Sequence, residues 1–210
     1  LSLGHQVKGT TTSEKRINIL RSKNVNPYLV TVSEEEIFGN LEFFKTLDKL
    51  IISMPPGLRS NPNRRFDLMI TKIKEACIRY KITEVVFISS TSVYGKLTGL
   101  ITEKSKTEPA TNSGKQLLLC ENILFETTEF DTTTLRMGGL IGPQRHPVIQ
   151  LSKKPSVDNP NGSINLIHLT DCIHIISNLL VNETSKNVYN CVTPYHPSRK
   201  DYYEQMAHEI

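Results

Sequence analysis

Four hydroxyl side chains follow directly on a short apolar run in residues 84–95, which read EVVFISSTSVYG. The apolar stretch 85–88 is rich in β-branched residues and predicts a strand that is buried on both faces of a parallel sheet. Ser89, Ser90, Thr91 and Ser92 would then stand at the carboxyl end of that strand, where open α/β sheets bind their ligands. The pattern predicts a ligand site at this point, and the competing interpretation is a buried strand followed by a Ser/Thr-rich turn.

The same residues resemble the signature of a known superfamily. SSTSVYG, residues 89–95, is similar to the SS(x)xVYG motif of the extended short-chain dehydrogenases/reductases, the NAD(P)-dependent sugar epimerases and dehydratases. By this resemblance Ser90 matches the catalytic Ser/Thr, four residues before the motif tyrosine, Tyr94. The resemblance therefore implies Ser90 and Tyr94 as candidate catalytic residues and Ser89 as a candidate cofactor contact.

Further segments resemble the superfamily in the expected order. LRMGGLIGPQRHP, residues 135–147, is similar to the stretch that passes the nicotinamide, which makes Gly138 and Gly139 candidate cofactor contacts. NLIHLTDCIHII (165–176) and NVYNCVTPYHPSRKDYY (187–203) resemble later segments of the superfamily. The resemblance implies substrate contacts from Arg145 and His168. The alternatives are solvent exposure for Arg145 and a core or hinge position for His168.

Polar residues stand at the carboxyl end of the first predicted strand of the chain. LGHQVKGTTTSEKR, residues 3–16, resembles the second strand of the superfamily, where an acidic residue would bind the ribose hydroxyls of NAD. Here Thr11, Thr12, Ser13, Lys15 and Arg16 offer hydroxyls and positive charge to a 2′-phosphate instead. They predict NADP as the cofactor, with NAD possible, and the alternative is a capped helix whose cations are solvated.

The segment Met54-Pro55-Pro56 ends the apolar run of residues 48–54. In one interpretation it is a turn that lines the cofactor, and all three residues are candidate cofactor contacts. In the other it only terminates a strand, because proline cannot donate a hydrogen bond to a sheet ladder.

The chain lacks the Tyr-x-x-x-Lys pair of the superfamily's oxidoreductases, in which the charge of the lysine lowers the pKa of the tyrosine for proton transfer. When Glu121 is placed on the superfamily's helix glutamate, Ser113 occupies the tyrosine position and Leu117 the lysine position. Lys115 cannot substitute, because a displacement of two residues turns a helical side chain by about 200° around the axis. The departure resembles the atypical branch of the superfamily, whose members bind NAD(P) without the usual active-site pair.

Strand-like and helix-like segments alternate along the chain. We predict strands near residues 5–12, 28–33, 48–54, 85–88, 132–137, 165–168 and 187–193, and helices near 14–23, 61–80, 113–126, 171–181 and from 198 onward. The alternation predicts an α/β fold, a Rossmann-type doubly wound parallel sheet made of right-handed βαβ units. We assign residues 1–210 to a single partial NAD(P)-binding domain, with a small substrate-side portion from about residue 140.

The first residues, LSLGH, are typical of a helix end closed by glycine, and a strand-like segment follows. By the resemblance, the superfamily's first strand and its glycine-rich loop would stand before this point, and the 210 residues contain no G-x-G-x-x-G. We therefore expect a fragment truncated at both ends. In such a fragment the strands around Val7 and Leu50 would flank a gap.

Composition argues against several other functions. The net charge of +4 comes from scattered basic residues and indicates no nucleic-acid surface, and no apolar run is long enough to span a membrane. No histidine or cysteine spacing matches a metal site. The four cysteines lie in apolar runs without a C-x-x-C pair, which predicts buried free thiols and a cytoplasmic location: Cys77, Cys120, Cys172 and Cys191.

These observations predict an NAD(P)-binding, epimerase/dehydratase-like protein. The expected activity is that of an NADP(H)-dependent oxidoreductase or isomerase acting on a small-molecule substrate, either sugar-nucleotide-like or a small carbonyl or alcohol. The alternative is a non-catalytic NADP(H)-sensing or interaction protein, which the missing Tyr-x-x-x-Lys favours. A structural domain without a ligand is a third possibility, and the oligomeric state stays open.

Overall fold

The computed structural model describes residues 3–143, 145–151, 156–182 and 185–209, which form alternating strands and helices. The strands are β1 (Lys8–Thr11), β2 (Asn26–Val32), β3 (Ile37–Gly39), β4 (Lys49–Ile52), β5 (Glu84–Ser90), β6 (Asp131–Met137), β7 (Gly139–Ile141), β8 (Leu166–His168) and β9 (Asn187–Cys191). The helices are α1 (Ile17–Ser22), α2 (Phe66–Tyr80), α3 (Asn112–Phe125), α4 (Pro147–Leu151), α5 (Leu169–Val181) and α6 (Arg199–Glu209).

β5 lies inside a four-stranded parallel sheet with the order β4, β5, β6, β9. Its side chains alternate between two cores, because successive residues of a strand point to opposite faces. Val85 and Phe87 join the core under α2 and α3, whereas Val86 joins the core under α5, and all three are fully buried. The prediction of a parallel strand buried on both faces of a doubly wound sheet is confirmed.

One face of α2 supplies much of the first core. Phe66, Ile70, Ile73 and Cys77 are buried and recur every three or four residues, the spacing that places side chains on one side of a helix. Full burial of a large apolar side chain contributes about 1.5–3 kcal/mol. Lys81, at φ 57°, adopts the left-handed conformation that ends the helix and returns the chain to β5.

A lysine of β4 links the carboxyl end of α5 to the four-stranded sheet. Lys49 of β4 donates hydrogen bonds to the carbonyl oxygens of Leu179 at 3.2 Å and Asn182 at 2.9 Å. Its ammonium also pairs with Glu84 at 2.9 Å. A cation at the carboxyl end of a helix complements the helix dipole, so this contact fixes the end of α5 against the start of β4 and β5.

The first three strands form a separate sheet in the order β1, β2, β3, with β3 antiparallel to β2. Among the described residues no ladder joins β1 to β4, and a cavity of about 940 Å³ lies between the two sheets. The gap expected between the strands around Val7 and Leu50 is therefore present, and the two strands do not close against each other.

The later part of the chain adds a two-stranded parallel sheet, β7 with β8, and the contacting helices α4 and α6. Ser198 precedes α6 and accepts a hydrogen bond at Oγ from the backbone N–H of Asp201 at 3.1 Å, a capping interaction. β7 begins close to residue 140, where we place the start of a substrate-side portion. That division of the chain stays a prediction.

The structure departs from the predicted elements at several points. The helix expected from residue 61 begins at Phe66, because Asn61 instead forms a turn whose carbonyl accepts from the N–H of Arg64. The helix expected from residue 171 begins at Leu169, since His168 caps it. β3 and α4 were not predicted. The helix end expected at residues 1–4 lies partly outside the described residues, although Gly4 has a φ of 80°.

Two buried threonines of β6 differ in their hydrogen bonding, which yields a stability prediction. Thr132 Oγ1 donates to the carbonyl of Leu124 at 3.2 Å, whereas Thr134 Oγ1 has no partner among the described residues. Because an unpaired buried hydroxyl costs about 1–3 kcal/mol, Thr134→Val should raise the free energy of unfolding by about 1 kcal/mol. Thr132→Val should lower it by about 1 kcal/mol, since that hydroxyl is paired. Urea denaturation measures both, and a loss of stability in Thr134→Val would contradict the prediction.

Candidate functional site

The loop after β5 is a tight turn held by its own hydroxyl groups. Ser90, the last residue of β5, accepts a hydrogen bond at Oγ from the backbone N–H of Ser92 at 3.1 Å and caps the 3₁₀ turn Thr91–Tyr94. The turn ends at Gly95, whose φ is 66° and where a Cβ atom would clash with the carbonyl oxygen of Glu108. Ser90 is half-buried, and its hydroxyl proton stays available to a ligand because this bond uses only a lone pair.

Tyr94 is buried, and its hydroxyl is engaged on both sides. It donates to Asn190 Oδ1 at 2.8 Å and accepts from Arg136 Nη1 at 2.7 Å. The Arg136 guanidinium also lies 4.9 Å from the centre of the Tyr94 ring. These contacts tie the loop to β6 and β9, so the phenol acts as a structural anchor in this arrangement. Its assignment as a catalytic residue stays a prediction.

Glu121 of α3 and Arg136 of β6 form an ion pair whose side chains are only 5% and 7% exposed. Arg136 Nη2 lies 2.6 Å from Glu121 Oε2, and Arg136 Nε lies 3.2 Å from both carboxylate oxygens. Ser89 Oγ donates to the same carboxylate. Burial by itself would lower the pKa of Arg136, but the hydrogen bonds and charge of Glu121, together with Tyr94, outweigh it, so the pKa of Arg136 lies above its ordinary value.

In α3, a buried apolar residue occupies the position that corresponds to the lysine of the Tyr-x-x-x-Lys pair. Leu117, at the lysine position, is buried, and the helix's one lysine, Lys115, is exposed. The first turn of α3 also packs closely on the Ser90 loop, because a Cβ atom on Gly114 would lie 2.8 Å from the carbonyl oxygen of Ser92. α3 therefore packs against the Ser90 loop without placing a cation beside Ser90.

The structure brings half of the predicted cofactor residues to one place. Thr11, Thr12, Arg16, Met54 and Pro55 all line the cavity between the two sheets. The cavity runs between the two sheets, where Leu50, Ile51 and Ile52 of β4 line it, and reaches the residues that follow the carboxyl ends of β1 and β4, the edge where such sheets bind ligands.

Two other predicted cofactor residues stand just outside that lining. Pro56 follows the lining segment, and Ser13 uses its backbone N–H to donate to Thr11 Oγ1 at 3.1 Å. This bond shapes the turn after β1. Sequence reasoning missed one lining residue that carries a charge, Arg64, because it follows β4 by 12 residues without a recognisable motif.

The remaining predicted residues lie around β7 and β8. Gly138 donates to the carbonyl of Cys191 at 3.0 Å and Gly139 to that of Asn165 at 2.7 Å, so their N–H groups are used within the protein. Arg145 is exposed, and its backbone pairs with that of Gly142. His168 Nδ1 accepts from the N–H of Thr170 at 3.2 Å as the cap of α5. Their cofactor and substrate roles stay predictions.

The cysteine thiols of the described chain are buried. All four cysteines are buried and free, and burial raises the pKa of Cys77 and Cys191 to about 12, which keeps both thiols protonated at neutral pH. No group of three or more metal-ligating side chains converges among the described residues. None of the described helices has the length and apolar character to cross a bilayer.

The buried pair generates a prediction on stability. Arg136→Met should lower the free energy of unfolding by about 3–5 kcal/mol, because it leaves the Glu121 carboxylate buried without its partner. The double variant Glu121→Leu/Arg136→Met should be distinctly more stable than Arg136→Met, since it removes both charges. Urea denaturation of the wild type, both single variants and the double variant measures the coupling. Additive losses would show that the pair does not couple α3 to β6.

Comparisons with known proteins agree with this geometry. No family model matches the chain. The chain is 33% identical over 207 residues to Protein YeeZ of Escherichia coli (strain K12), a match that covers 97% of this chain and 75% of YeeZ.

Solved structures share the fold at lower identity. The UDP-N-acetylglucosamine 4-epimerase from Bacillus cereus superposes with a TM-score of 0.79 at 15% identity, covering 99% of this chain and 74% of that one. MoeE5 in complex with UDP-glucuronic acid and NAD gives a TM-score of 0.75 at 16% identity, covering 98% and 82%. The identity to YeeZ shows that the chain belongs to the same family as YeeZ, and the superpositions show that it shares the fold of these two solved structures.

Proposed function

We propose that the protein binds a nicotinamide dinucleotide at the carboxyl edge between its two sheets and prefers NADP(H) to NAD(H). The observation that carries the proposal is the convergence of Thr11, Thr12 and Arg16 with Met54 and Pro55 on one cavity. Hydroxyls and a guanidinium, with no carboxylate among the lining residues, suit a 2′-phosphate better than the free ribose hydroxyls of NAD. The donor set therefore fits the phosphorylated cofactor.

A dinucleotide also needs backbone N–H donors for its pyrophosphate, which a glycine-rich turn at a helix N-terminus supplies. β1 and β4 both border the cavity, and each is parallel to its own neighbour. We propose that one further parallel strand with such a turn lies between them in the full-length gene product. The binding experiments below accordingly use the full-length gene product.

The chain's own residues would hold the reacting groups in place. The bound nicotinamide would supply or accept a hydride. Ser90 ends β5, and its hydroxyl proton stays free to hydrogen-bond a substrate oxygen, while the Glu121–Arg136 pair holds its loop through Ser89 and Tyr94. We propose an oxidoreductase or isomerase reaction on a sugar-nucleotide-like or small carbonyl or alcohol substrate. In support, MoeE5 was solved with NAD and UDP-glucuronic acid, and several structural neighbours are UDP-sugar epimerases.

A second candidate function is NADP(H) sensing without turnover. The buried Leu117 at the lysine position favours it, because no charge stands there to lower the pKa of a neighbouring acid. The engaged hydroxyl of Tyr94 favours it as well, since that group is not free to transfer a proton. The two candidates share the cofactor site and differ only in the use of Ser90.

We also propose a cytoplasmic location. The four cysteines are free and buried, which favours a reducing compartment.

Cofactor preference tests the proposed site. The full-length gene product should bind NADPH more tightly than NADH by about 1–3 kcal/mol, because charge-assisted hydrogen bonds form only with the 2′-phosphate. Arg16→Met should remove much of this difference, whereas Lys23→Met, which removes an exposed charge outside the cavity lining, should retain it. Fluorescence titration with both cofactors measures the affinities. Equal affinities in the wild type would refute the preference.

Turnover decides between the two candidate functions. If the protein is an enzyme, Ser90→Ala should lower the rate of NADPH-dependent or epimerising turnover of UDP-sugars at least about 100-fold, the usual scale for loss of an oriented proton donor. NADPH affinity should stay unchanged, because Ser90 does not line the cofactor cavity. Chromatographic assay of a panel of UDP-sugars and small carbonyl compounds provides the measurement. Tight NADPH binding without turnover across the panel would support the sensing function instead.

A further inference from the structure

Arg64 and Arg16 line the same cavity from different parts of the chain. Arg16 comes from the segment after β1, and Arg64 comes from the loop between β4 and α2. Among the described residues that line the cavity, these two carry the charge, and no carboxylate accompanies them. The lining therefore carries a formal charge of +2 at the edge where the cofactor is proposed to bind.

The positive charge of Arg64 is not neutralised within the described part of the protein. Neither Arg16 nor Arg64 forms an ion pair with a described residue. By contrast, the guanidinium of the next residue, Arg65, donates two hydrogen bonds to the carboxylate of Asp67, at 2.9 and 2.7 Å. Arg64 is also half-buried. A partly desolvated guanidinium without a counter-ion is costly unless an anion binds it, which points to a ligand.

The loop that carries Arg64 is fixed before any ligand arrives. The carbonyl of Gly57 accepts from the N–H groups of Ser60 and Asn61, both at 3.2 Å, and the N–H of Arg64 donates to the carbonyl of Asn61 at 3.2 Å. At the far end, the N–H of Arg65 donates to Glu34 Oε1 at 2.9 Å, which ties the loop to the segment after β2.

The side chain of Arg64 is folded back toward the cavity. Its guanidinium lies directly on Gly57, where a Cβ atom would clash with Nη1. Gly57 has a φ of 69°, so a glycine is also the residue that this turn accommodates without strain. The missing side chain at Gly57 leaves room for the guanidinium of Arg64, which lines the same cavity as Arg16.

We propose that Arg64 is a second specificity-determining residue, which with Arg16 forms a two-sided clamp for the phosphate monoester on the adenosine ribose of NADP(H). The proposal rests on the proposed cofactor site and deepens it. A guanidinium presents two parallel N–H donors to phosphate oxygens, so two arginines on opposite sides can neutralise the dianion. The threonine hydroxyls of the β1 edge supply further donors.

The test compares cofactor affinities of matched variants of the full-length gene product. Arg64→Met should weaken NADPH binding about tenfold or more and change NADH binding less than twofold, because NADH lacks the phosphate. Arg16→Met/Arg64→Met should abolish discrimination between the two cofactors. Arg79→Met, which removes an exposed charge at the far end of α2, should change neither affinity. Binding of 2′,5′-ADP, with 5′-AMP as its control, should follow the same order.

The outcomes separate this inference from the function on which it rests. If neither NADPH nor NADH binds the wild type, the cofactor site itself is wrong. If the wild type prefers NADPH and Arg64→Met retains the whole preference, the site stands and the clamp is refuted. Arg64→Lys provides a second variant that keeps the charge and loses the fork, and an affinity between those of the wild type and Arg64→Met supports the clamp. Circular dichroism establishes that each variant is folded.

Discussion

The buried ion pair between Glu121 and Arg136 is the interaction that fixes the ligand edge of the sheet. A buried charge is costly unless its partner and its remaining hydrogen bonds are in place. Ser89 donates a further hydrogen bond to the carboxylate, and the Tyr94 hydroxyl accepts one from Nη1 of the guanidinium. A slip of α3 along the sheet would leave both charges unpaired, so one arrangement of helix, strands and loop is strongly favoured. The Ser90 loop is rigid because its neighbours on both sides belong to this network.

Several other cations of the described chain form ion pairs with carboxylates. Lys49, Lys72, Lys106 and Arg65 each lie within 3.1 Å of a carboxylate oxygen, in pairs that range from partly buried to exposed. The two arginines of the cavity have no such partner among the described residues. The modest net charge of the whole chain gives no hint of this difference, because it sums paired and unpaired groups alike. The place of the two arginines on one cavity, and not the lack of a counter-ion alone, sets them apart from the other surface cations.

In this protein the fold can be separated from the chemistry of the superfamily that the sequence resembles. α3 keeps the close approach at Gly114 and the glutamate that pairs with Arg136 of the sheet. At the positions where the oxidoreductases of that superfamily carry a reactive pair, α3 presents Ser113 and the buried Leu117. A fold can thus keep the carboxyl edge of its sheet, where ligands bind, while the reacting groups change. For this reason the fold alone does not establish the activity.

The sequence by itself determined the types of most elements and the class of the fold. Periods of two and of about 3.6 residues are local properties, so β5, β6 and α3 were predicted to within about two residues of their observed ends. The hydroxyl groups after β5 and the polar residues after β1 were identified for the same reason. Tertiary structure decided what depends on residues distant in sequence. Glu121 meets Arg136 only because α3 packs on β6, and Arg64 lines the same cavity as Arg16 only because the two sheets stand on either side of it. The start of α2 and the cap of α5 also needed the fold, since Asn61 and His168 could form a turn or a cap with equal local propensity until packing selected one.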